Sequence, residues 1–307
     1  MRIVFFGTPE FAVPSLEALL AEGAQVVGVV TQPDKARGRS RSELVPPPVK
    51  LAADRHRLPV LQPERPVGDV FLAALRHWHP ELGIVVAYGH LLRPEVLRLP
   101  PRGMLNLHAS LLPHLRGAAP INWAILQGDA ESGVSIMQME AGLDSGPVLR
   151  RTPTRIGMNE TAGELRQRLA TLGAETLIET LALMRLGRLT PEPQDPALAS
   201  YAPKIDRKVT RIDWNETAAA IARRIRAFDP VPGAWATLEG HEVKLFGASV
   251  HEADGRPGEV LESEGALRIA AGQGAVEVAE VQPAGRARMA AAAWSRGRGA
   301  RPGQLLA

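Results

Sequence analysis

The chain has 307 residues, 45% of them apolar and 22% charged, which is a typical globular composition and a length suited to about two domains. Cysteine is absent, so disulfides, thiolate metal sites and cysteine nucleophiles are excluded. The formal net charge is only +3, and no apolar stretch is long enough for a signal peptide or a membrane span, so we expect a cytoplasmic protein without membrane contact.

Short apolar segments alternate with amphipathic segments up to residue 189. The predicted strands are 2–6, 25–31, 83–88, 104–108 and 133–139, and the predicted helices are 10–22, 69–78, 118–127 and 160–186. Strands that alternate with helices predict an α/β fold in which a parallel sheet is covered on both faces.

A cluster of prolines then interrupts the pattern: Pro191, Pro193, Pro196 and Pro203. Proline at this density cannot continue a helix and is typical of a semi-rigid linker. We therefore predict a first domain at 1–189, a linker at 190–205 and a second domain at 206–307. A helix at 215–228 is followed by strand-like segments between glycines, at 234–238, 242–246, 258–262, 266–270 and 275–281. These segments predict a small β-barrel.

The turn after the first strand, Gly7-Thr8-Pro9, argues against a nucleotide cofactor. A dinucleotide-binding fold would carry the pattern G-x-G-x-x-G at this position, and the chain does not. A dinucleotide oxidoreductase is therefore the weakest functional interpretation.

Asn106 and His108 are the strongest candidates for chemistry. They lie two residues apart in a predicted strand, so their side chains share one face while Leu105 and Leu107 point to the other. Ligands of open α/β sheets bind beyond the carboxyl ends of the strands, where this pair is expected. The alternative is a histidine whose ring is satisfied by a backbone carbonyl group.

Asp144 follows the next predicted strand, in a loop between Gly142 and Gly146. Alone it is typical of an ordinary turn residue. Together, the three side chains suit acyl transfer to an amine. Asn106 and a protonated His108 would donate hydrogen bonds to the developing oxyanion, and the carboxylate of Asp144 would relay the proton of the amine.

The segments NLHASLLPHLRGAAPINW and GVSIMQMEAGLDSGP resemble the folate-dependent formyltransferases. In that family the Asn, the His two residues later and the Asp of the later loop are the catalytic set, which implies these roles for Asn106, His108 and Asp144. The resemblance implies 10-formyltetrahydrofolate as cosubstrate, with no permanently bound cofactor and no metal. It also implies the following folate contacts: Tyr88, Ser110, Leu111, Leu112 and Pro113.

Further segments, among them FFGTPEF at the start and TQPDKARGR at 31–39, resemble the branch of this family whose acceptor is initiator methionyl-tRNA. This resemblance implies a Rossmann-like formyltransferase domain with a parallel-type sheet, followed by a smaller OB-like β-barrel domain. We also expect the protein to be a monomer. Two departures are visible. Ala109 stands where many members have Gly, and the Arg/Ala/Gly-rich run 286–303 has no clear counterpart.

Basic residues provide the candidate tRNA contacts. The long loop 32–48 is bounded by prolines and rich in cations, and in the family it enters the acceptor end of the tRNA. A second basic cluster follows the linker, and arginines of the next helix and the C-terminal run could extend the path. The predicted contacts are Lys35, Arg37, Arg39, Arg41, Lys204 and Lys208.

Three other functions stay open at this point. A sister enzyme would formylate a small amine, and a hydrolase would use water in place of the amine. An RNA-binding protein with an inactive first domain is the non-enzymatic alternative.

Overall fold

The fold is described by a computed structural model that covers residues 1–37, 43–297 and 299–307, with only the backbone at Arg37 and Glu43. Contacts within the chain divide it into two compact units. The first unit consists of Met1–Gly117, Ser132–Thr154 and Arg166–Tyr201, and the second unit consists of Ala118–Glu131, Arg155–Leu165 and Ala202–Ala307. The domain limits proposed from the sequence stay a prediction.

The elements up to residue 202 follow the expected alternation, with several short strands in addition. The strands are β1 (Arg2–Gly7), β2 (Gln25–Val30), β3 (Lys35–Arg37), β4 (Glu43–Val45), β5 (Val60–Leu61), β6 (Leu82–Val86), β7 (Met104–His108), β8 (Arg116–Gly117), β9 (Glu131–Gln138), β10 (Val148–Arg155) and β11 (Tyr201–Ala202). The helices are α1 (Val13–Ala21), α2 (Pro48–Arg55), α3 (Asp69–His77), α4 (Pro94–Leu97), α5 (Pro120–Gln127) and α6 (Ala162–Arg185). Single 3-10 turns occur at Glu10–Ala12 and Pro196–Leu198.

The first unit is built on a seven-stranded sheet with the order β10-β9-β7-β6-β1-β2-β5. The strands from β7 to β5 pair in parallel. The side chains Ile3 to Phe6 of β1 are fully buried, as expected for a strand covered on both faces. The predicted parallel sheet is therefore confirmed in its main part.

Two details differ from the sequence prediction. β9 pairs antiparallel to β7, with His108 opposite Ser135, so the sheet is mixed rather than wholly parallel. An antiparallel edge on a parallel sheet is common in large α/β folds. Strand β6 ends at Val86, two residues early, because Ala87 has a φ of 46° and leaves the extended conformation.

The second unit contains helix α7 (Ala218–Phe228), strands β12 (Ala234–Leu238), β13 (His241–His251), β14 (Val260–Glu262), β15 (Leu267–Ala270), β16 (Ala275–Pro283) and β17 (Met289–Ala290), and helix α8 (Ala291–Arg296). Thr217 caps α7 by accepting a hydrogen bond from the backbone N–H of Ala220. An antiparallel sheet runs in the order β12-β13-β16-β15-β14. Its core includes Trp214, Phe228 and Leu245.

The last residues of the chain pair with strands at both edges of this sheet. Ala307 exchanges two backbone hydrogen bonds with Thr237 of β12, and the carbonyl group of Gln304 accepts from the N–H of Val260 in β14. The C-terminal segment therefore bridges the two ends of an otherwise open sheet.

Within the part of the chain that the structure describes, no helix has the length and apolar character needed to cross a bilayer.

Candidate active site

The carboxyl end of β7 presents Asn106 and His108, which are 9% and 6% exposed. Between them, Leu107 points the opposite way and lies close to Gly173 of α6. Because side chains alternate along a strand, Leu107 packs into the core, whereas Asn106 and His108 share the opposite face.

Asp144 lies at the centre of this polar group. Its Oδ1 is 3.5 Å from Nδ2 of Asn106, and its Oδ2 is 3.7 Å from Nδ1 of His108. The same Oδ2 accepts a hydrogen bond of 2.9 Å from the backbone N–H of Gly117. The structure therefore brings the three residues of the predicted catalytic set together.

The loop that carries Asp144 has an unusual backbone. Asp144 has a φ of 46°, in the left-handed region that only Gly, Asn and Asp adopt readily. At Gly146, a Cβ would lie 2.0 Å from the carbonyl oxygen of Gln138. Glycine is therefore required there for the loop to return closely past β9.

The imidazole of His108 is held from the other side by a backbone group. Its Nε2 is 2.9 Å from the carbonyl oxygen of Leu115. Because a carbonyl oxygen only accepts hydrogen bonds, the proton in this contact belongs to Nε2. The alternative of a backbone-satisfied histidine is thus correct for one ring nitrogen, while Nδ1 faces the carboxylate of Asp144.

The turn after His108 contains four of the predicted folate contacts, and most of its polar groups are used internally. Ser110 donates to the carbonyl group of His114 at 2.5 Å, and Leu112 donates its backbone N–H to Oγ of Ser135 at 3.0 Å. Leu112 is buried against Met137 and Val148. Leu111 and Pro113 are half-buried, so they are the members of this turn with side-chain surface left for a ligand.

Tyr88, the fifth predicted folate contact, lies in the core. It is 1% exposed, and its ring meets that of Phe6 edge-on at 5.4 Å between centroids. Its hydroxyl has no hydrogen-bond partner among the described residues, and burial raises the pKa of Tyr88 to about 12. Its carbonyl group accepts from Thr8 and Gln32, which fixes the strand end.

A cavity of about 460 Å³ was missed by the sequence analysis. It begins at the first residues of the Asp144 loop and extends to α4. Its lining is mostly apolar and consists of Pro94, Leu97, Arg98, Pro100, Pro101, Gly103, Met139, Glu140 and Ala141. These residues show no pattern in the sequence, because they come from two separate segments and carry few polar groups.

The predicted tRNA contacts are only partly described. Lys35 is exposed on β3, the side chain of Arg37 is not described, and Arg39 and Arg41 lie outside the described residues. Lys204 and Lys208 are exposed in the second unit.

One arginine of the C-terminal run has a structural role in the second unit. Arg288 contacts the buried carboxylate of Asp229 at 2.8 Å and also pairs with Glu280. Its guanidinium lies 4.1 Å from the ring centroid of Phe246. Arg288 therefore stabilises the packing around Asp229, and its contribution to a tRNA path stays a prediction. The run itself is folded in part, as β17 and α8.

No group of three or more His, Asp or Glu side chains suited to a metal ion occurs in the described ranges.

Known proteins resemble this chain over nearly its whole length. The formyl transferase family matches residues 1–181, and the formyl transferase C-terminal domain matches residues 204–299. A methionyl-tRNA formyltransferase of Geobacter metallireducens is 44% identical over 292 residues, covering 95% of this chain and 94% of the relative. The corresponding protein of Pelobacter propionicus is 45% identical over 305 residues, covering 99% and 95%.

Among solved structures, HypX from Aquifex aeolicus in complex with tetrahydrofolic acid superposes with a TM-score of 0.69 at 22% identity. That match covers 95% of this chain but only 46% of HypX, and it shows a shared fold.

Proposed function

The chain belongs to the formyl transferase family, and we infer from this membership that it transfers the formyl group of 10-formyltetrahydrofolate to the α-amino group of methionyl-tRNA. The observation that carries the choice of acceptor is the 44–45% identity to methionyl-tRNA formyltransferases over nearly the full length of both chains. The product would serve translation initiation. The site described above supports the transfer chemistry.

Formyl transfer needs no covalent intermediate on the protein. The lone pair of the amine attacks the formyl carbon, and the carbonyl oxygen becomes an oxyanion. The bond between that carbon and the folate nitrogen then breaks, the amine loses one proton, and the folate nitrogen gains one. The protein must therefore stabilise negative charge on one oxygen and move a proton.

Asn106 is proposed to donate to the oxyanion. The 3.5 Å contact to Asp144 occupies at most one hydrogen of its amide, and the second hydrogen is left for the substrate. A preorganised donor of this kind lowers the barrier by about 2.7–4 kcal/mol, because it needs no reorganisation during the reaction.

His108 is proposed as the second donor, in its protonated form. With Nε2 committed to the carbonyl group of Leu115, the remaining proton would sit on Nδ1. The distance of 3.7 Å from Nδ1 to Asp144 is longer than a normal hydrogen bond, so this proton is not consumed by the carboxylate. It is available to the developing oxyanion while the carboxylate balances the charge.

Asp144 is proposed to accept the proton of the attacking amine, through a bridging water. Its side chain is 16% exposed, so the site is largely shielded but reachable by solvent. The N–H of Gly117 holds Oδ2 in place. Among the described residues, the other oxygen has only the long contact to Asn106, so it retains lone pairs for the transfer.

The folate ring system is proposed to bind in the cavity at α4. The volume of about 460 Å³ lies within the range of about 300–1,000 Å³ that is typical of small-molecule sites. Met139 to Ala141 line it and precede Asp144 in the same loop. Leu111 and Pro113 stay proposed as contacts of the same ligand.

The tRNA is proposed to contact the β3–β4 hairpin and the exposed lysines Lys204 and Lys208. Cationic side chains on phosphates position an RNA and make its binding dependent on salt, without reading sequence. Arg39 and Arg41 are also proposed as tRNA contacts, but only because the sequence of this loop resembles that of the family.

The second unit is proposed to be an OB-like barrel. The support is the six-stranded antiparallel sheet, in which β17 pairs with β16, together with the pairing of Ala307 and Gln304 with the two edge strands. We further propose that the protein is a monomeric, cytoplasmic enzyme without a permanently bound cofactor.

The test is an acceptor panel with 10-formyltetrahydrofolate as donor. Charged methionyl-tRNA, small amines and a reaction without acceptor are compared by mass spectrometry of the products. The proposal predicts formyl-methionyl-tRNA as the main product. Preferred formylation of a small amine, or rapid release of free formate without acceptor, would replace it with one of the alternative functions.

A further inference from the structure

The proline-rich segment between α6 and β11 does more than connect two parts of the chain. It carries Gln194, a half-buried side chain whose hydrogen-bonding capacity is fully used. Its Nε2 donates to the carbonyl groups of Asp144 at 2.8 Å and Gly146 at 2.7 Å. Its Oε1 accepts from Nε and Nη2 of Arg116 at 3.1 and 2.8 Å.

The two carbonyl groups that Gln194 binds are that of Asp144 itself, where φ is 46°, and that of Gly146 two residues later. A non-glycine residue in the left-handed region persists only where its surroundings hold it. Two hydrogen bonds from one amide to residues 144 and 146 provide such a constraint. They fix the backbone from which the carboxylate reaches Asn106 and His108.

The other partner of Gln194 belongs to the second wall of the site. Arg116 is only 6% exposed and directly precedes Gly117, whose N–H binds the carboxylate of Asp144. Gln194 therefore connects the loop that carries the carboxylate with the turn that receives it.

Ser200, six residues later in the same segment, holds the remaining part of that turn. Its Oγ accepts from the N–H of Leu115 at 2.9 Å, and its carbonyl group accepts from the N–H of Arg116 at 2.9 Å. Leu115 is the residue whose own carbonyl group orients His108. The segment thus supports the histidine side of the site as well as the aspartate side.

We propose that Gln194 is a positioning residue for formyl transfer, which sets the Asp144 loop against the turn that contains Arg116 and Gly117. The expected effect of this residue on kcat rests on the proposed function. Its expected effect on the conformation of the Asp144 loop does not depend on the acceptor.

Replacing Gln194 by glutamate removes its two donated hydrogen bonds but keeps an acceptor for Arg116. Gln194→Glu keeps an oxygen acceptor for the buried guanidinium of Arg116, so the cation is not left without a partner. The two donors to the carbonyl groups of Asp144 and Gly146 are lost. Gln167→Glu, at an exposed position of α6, is the matched control for the same change of amide to carboxylate.

The kinetic expectation is a fall in kcat of about tenfold or more for Gln194→Glu, with KM for both substrates within about twofold. The melting temperature is expected to fall by only a few degrees, because two carbonyl groups of the loop lose their donor. A displaced carboxylate impairs the chemical step without removing a binding contact. The control variant is expected to match the parent. A kcat for Gln194→Glu within about twofold of the parent overturns the proposal.

Hydrogen exchange provides a readout that does not depend on activity. Amides of residues 142–147 and of Gly117 are expected to exchange faster in Gln194→Glu, and the rest of the chain to stay unchanged. Faster exchange everywhere, with a large drop in melting temperature, would show a general structural role and overturn the positioning role. If the parent formylates no acceptor, the proposed function fails, and the exchange result still decides the role of Gln194.

Discussion

Replacing Asp144 by Asn is expected to abolish most turnover while the site keeps its shape. The amide oxygen of Asn can still accept the N–H of Gly117, which now binds Oδ2 at 2.9 Å, and Asn tolerates the left-handed backbone at this position. The negative charge 3.7 Å from His108 is lost, and so is the acceptor for the proton of the amine. The perturbation is therefore chemical rather than structural.

The size of the effect follows from the lost proton transfer. Removing a positioned base costs about 10²–10⁴-fold in rate, or about 3–5 kcal/mol of barrier. One altered hydrogen bond changes the free energy of unfolding by only about 1 kcal/mol. We expect kcat to fall within that range, whereas the Kd for tRNA and the melting temperature stay near the parent values.

The assay is single-turnover formylation, with tRNA binding measured separately by filter retention. Asp195→Asn is the matched control, because this exposed residue caps the turn Pro196–Leu198 through Ala197, and Asn caps equally well. If Asp144→Asn retains turnover within about threefold of the parent, the proton-transfer role is refuted.

Three further predictions concern other groups of the first unit. Asn106→Ala is expected to lower kcat by about 10²–10³-fold in the same assay with tRNA binding intact, since one oxyanion donor is lost; an unchanged kcat would exclude that role. Gly146→Ala is expected to lower both kcat and the melting temperature, because its Cβ would lie 2.0 Å from a backbone oxygen; a fully active and equally stable variant would contradict the close approach. The pKa of Asp34 is lowered from 3.8 by its hydrogen bonds from Gln62 and Lys50, so its stabilising contribution is present above that value and is lost as the pH falls through the lowered pKa. The melting temperatures of the parent and Asp34→Asn should therefore differ at neutral pH and converge in acid, and a gap independent of pH would contradict the ionic contribution.

The sequence was sufficient for elements whose pattern is local. β12 was predicted with its observed limits, and β7 likewise, because alternation and glycine boundaries act within a few residues. The pairing of Asn106 with His108 on one face followed from the same geometry. These properties depend on the strand alone.

Contacts between distant segments were not predictable in the same way. The carbonyl group of Leu115 reaches His108, and Gln194 reaches Asp144 across 50 positions of the chain. Nothing in the local pattern of 190–205 distinguishes a linker from a segment that supports the site. The cavity at α4 was missed for the same reason, since apolar walls from separate segments leave no motif.

The direction of β9 in the sheet could not be predicted from the sequence either. Its alternating residues predict a strand in either orientation, and its antiparallel pairing with β7 is seen only in the structure. Hydrophobic periodicity specifies a strand and its inward face but carries no information on the direction of its neighbour.

The most direct test of the central claim is formylation of initiator and elongator methionyl-tRNA side by side, with purified protein and 10-formyltetrahydrofolate. We expect formyl-methionyl product on the initiator tRNA, at a rate that falls steeply as salt increases because phosphate contacts are lost. Absence of this product on both tRNAs, with the parent protein folded and the donor intact, would contradict it.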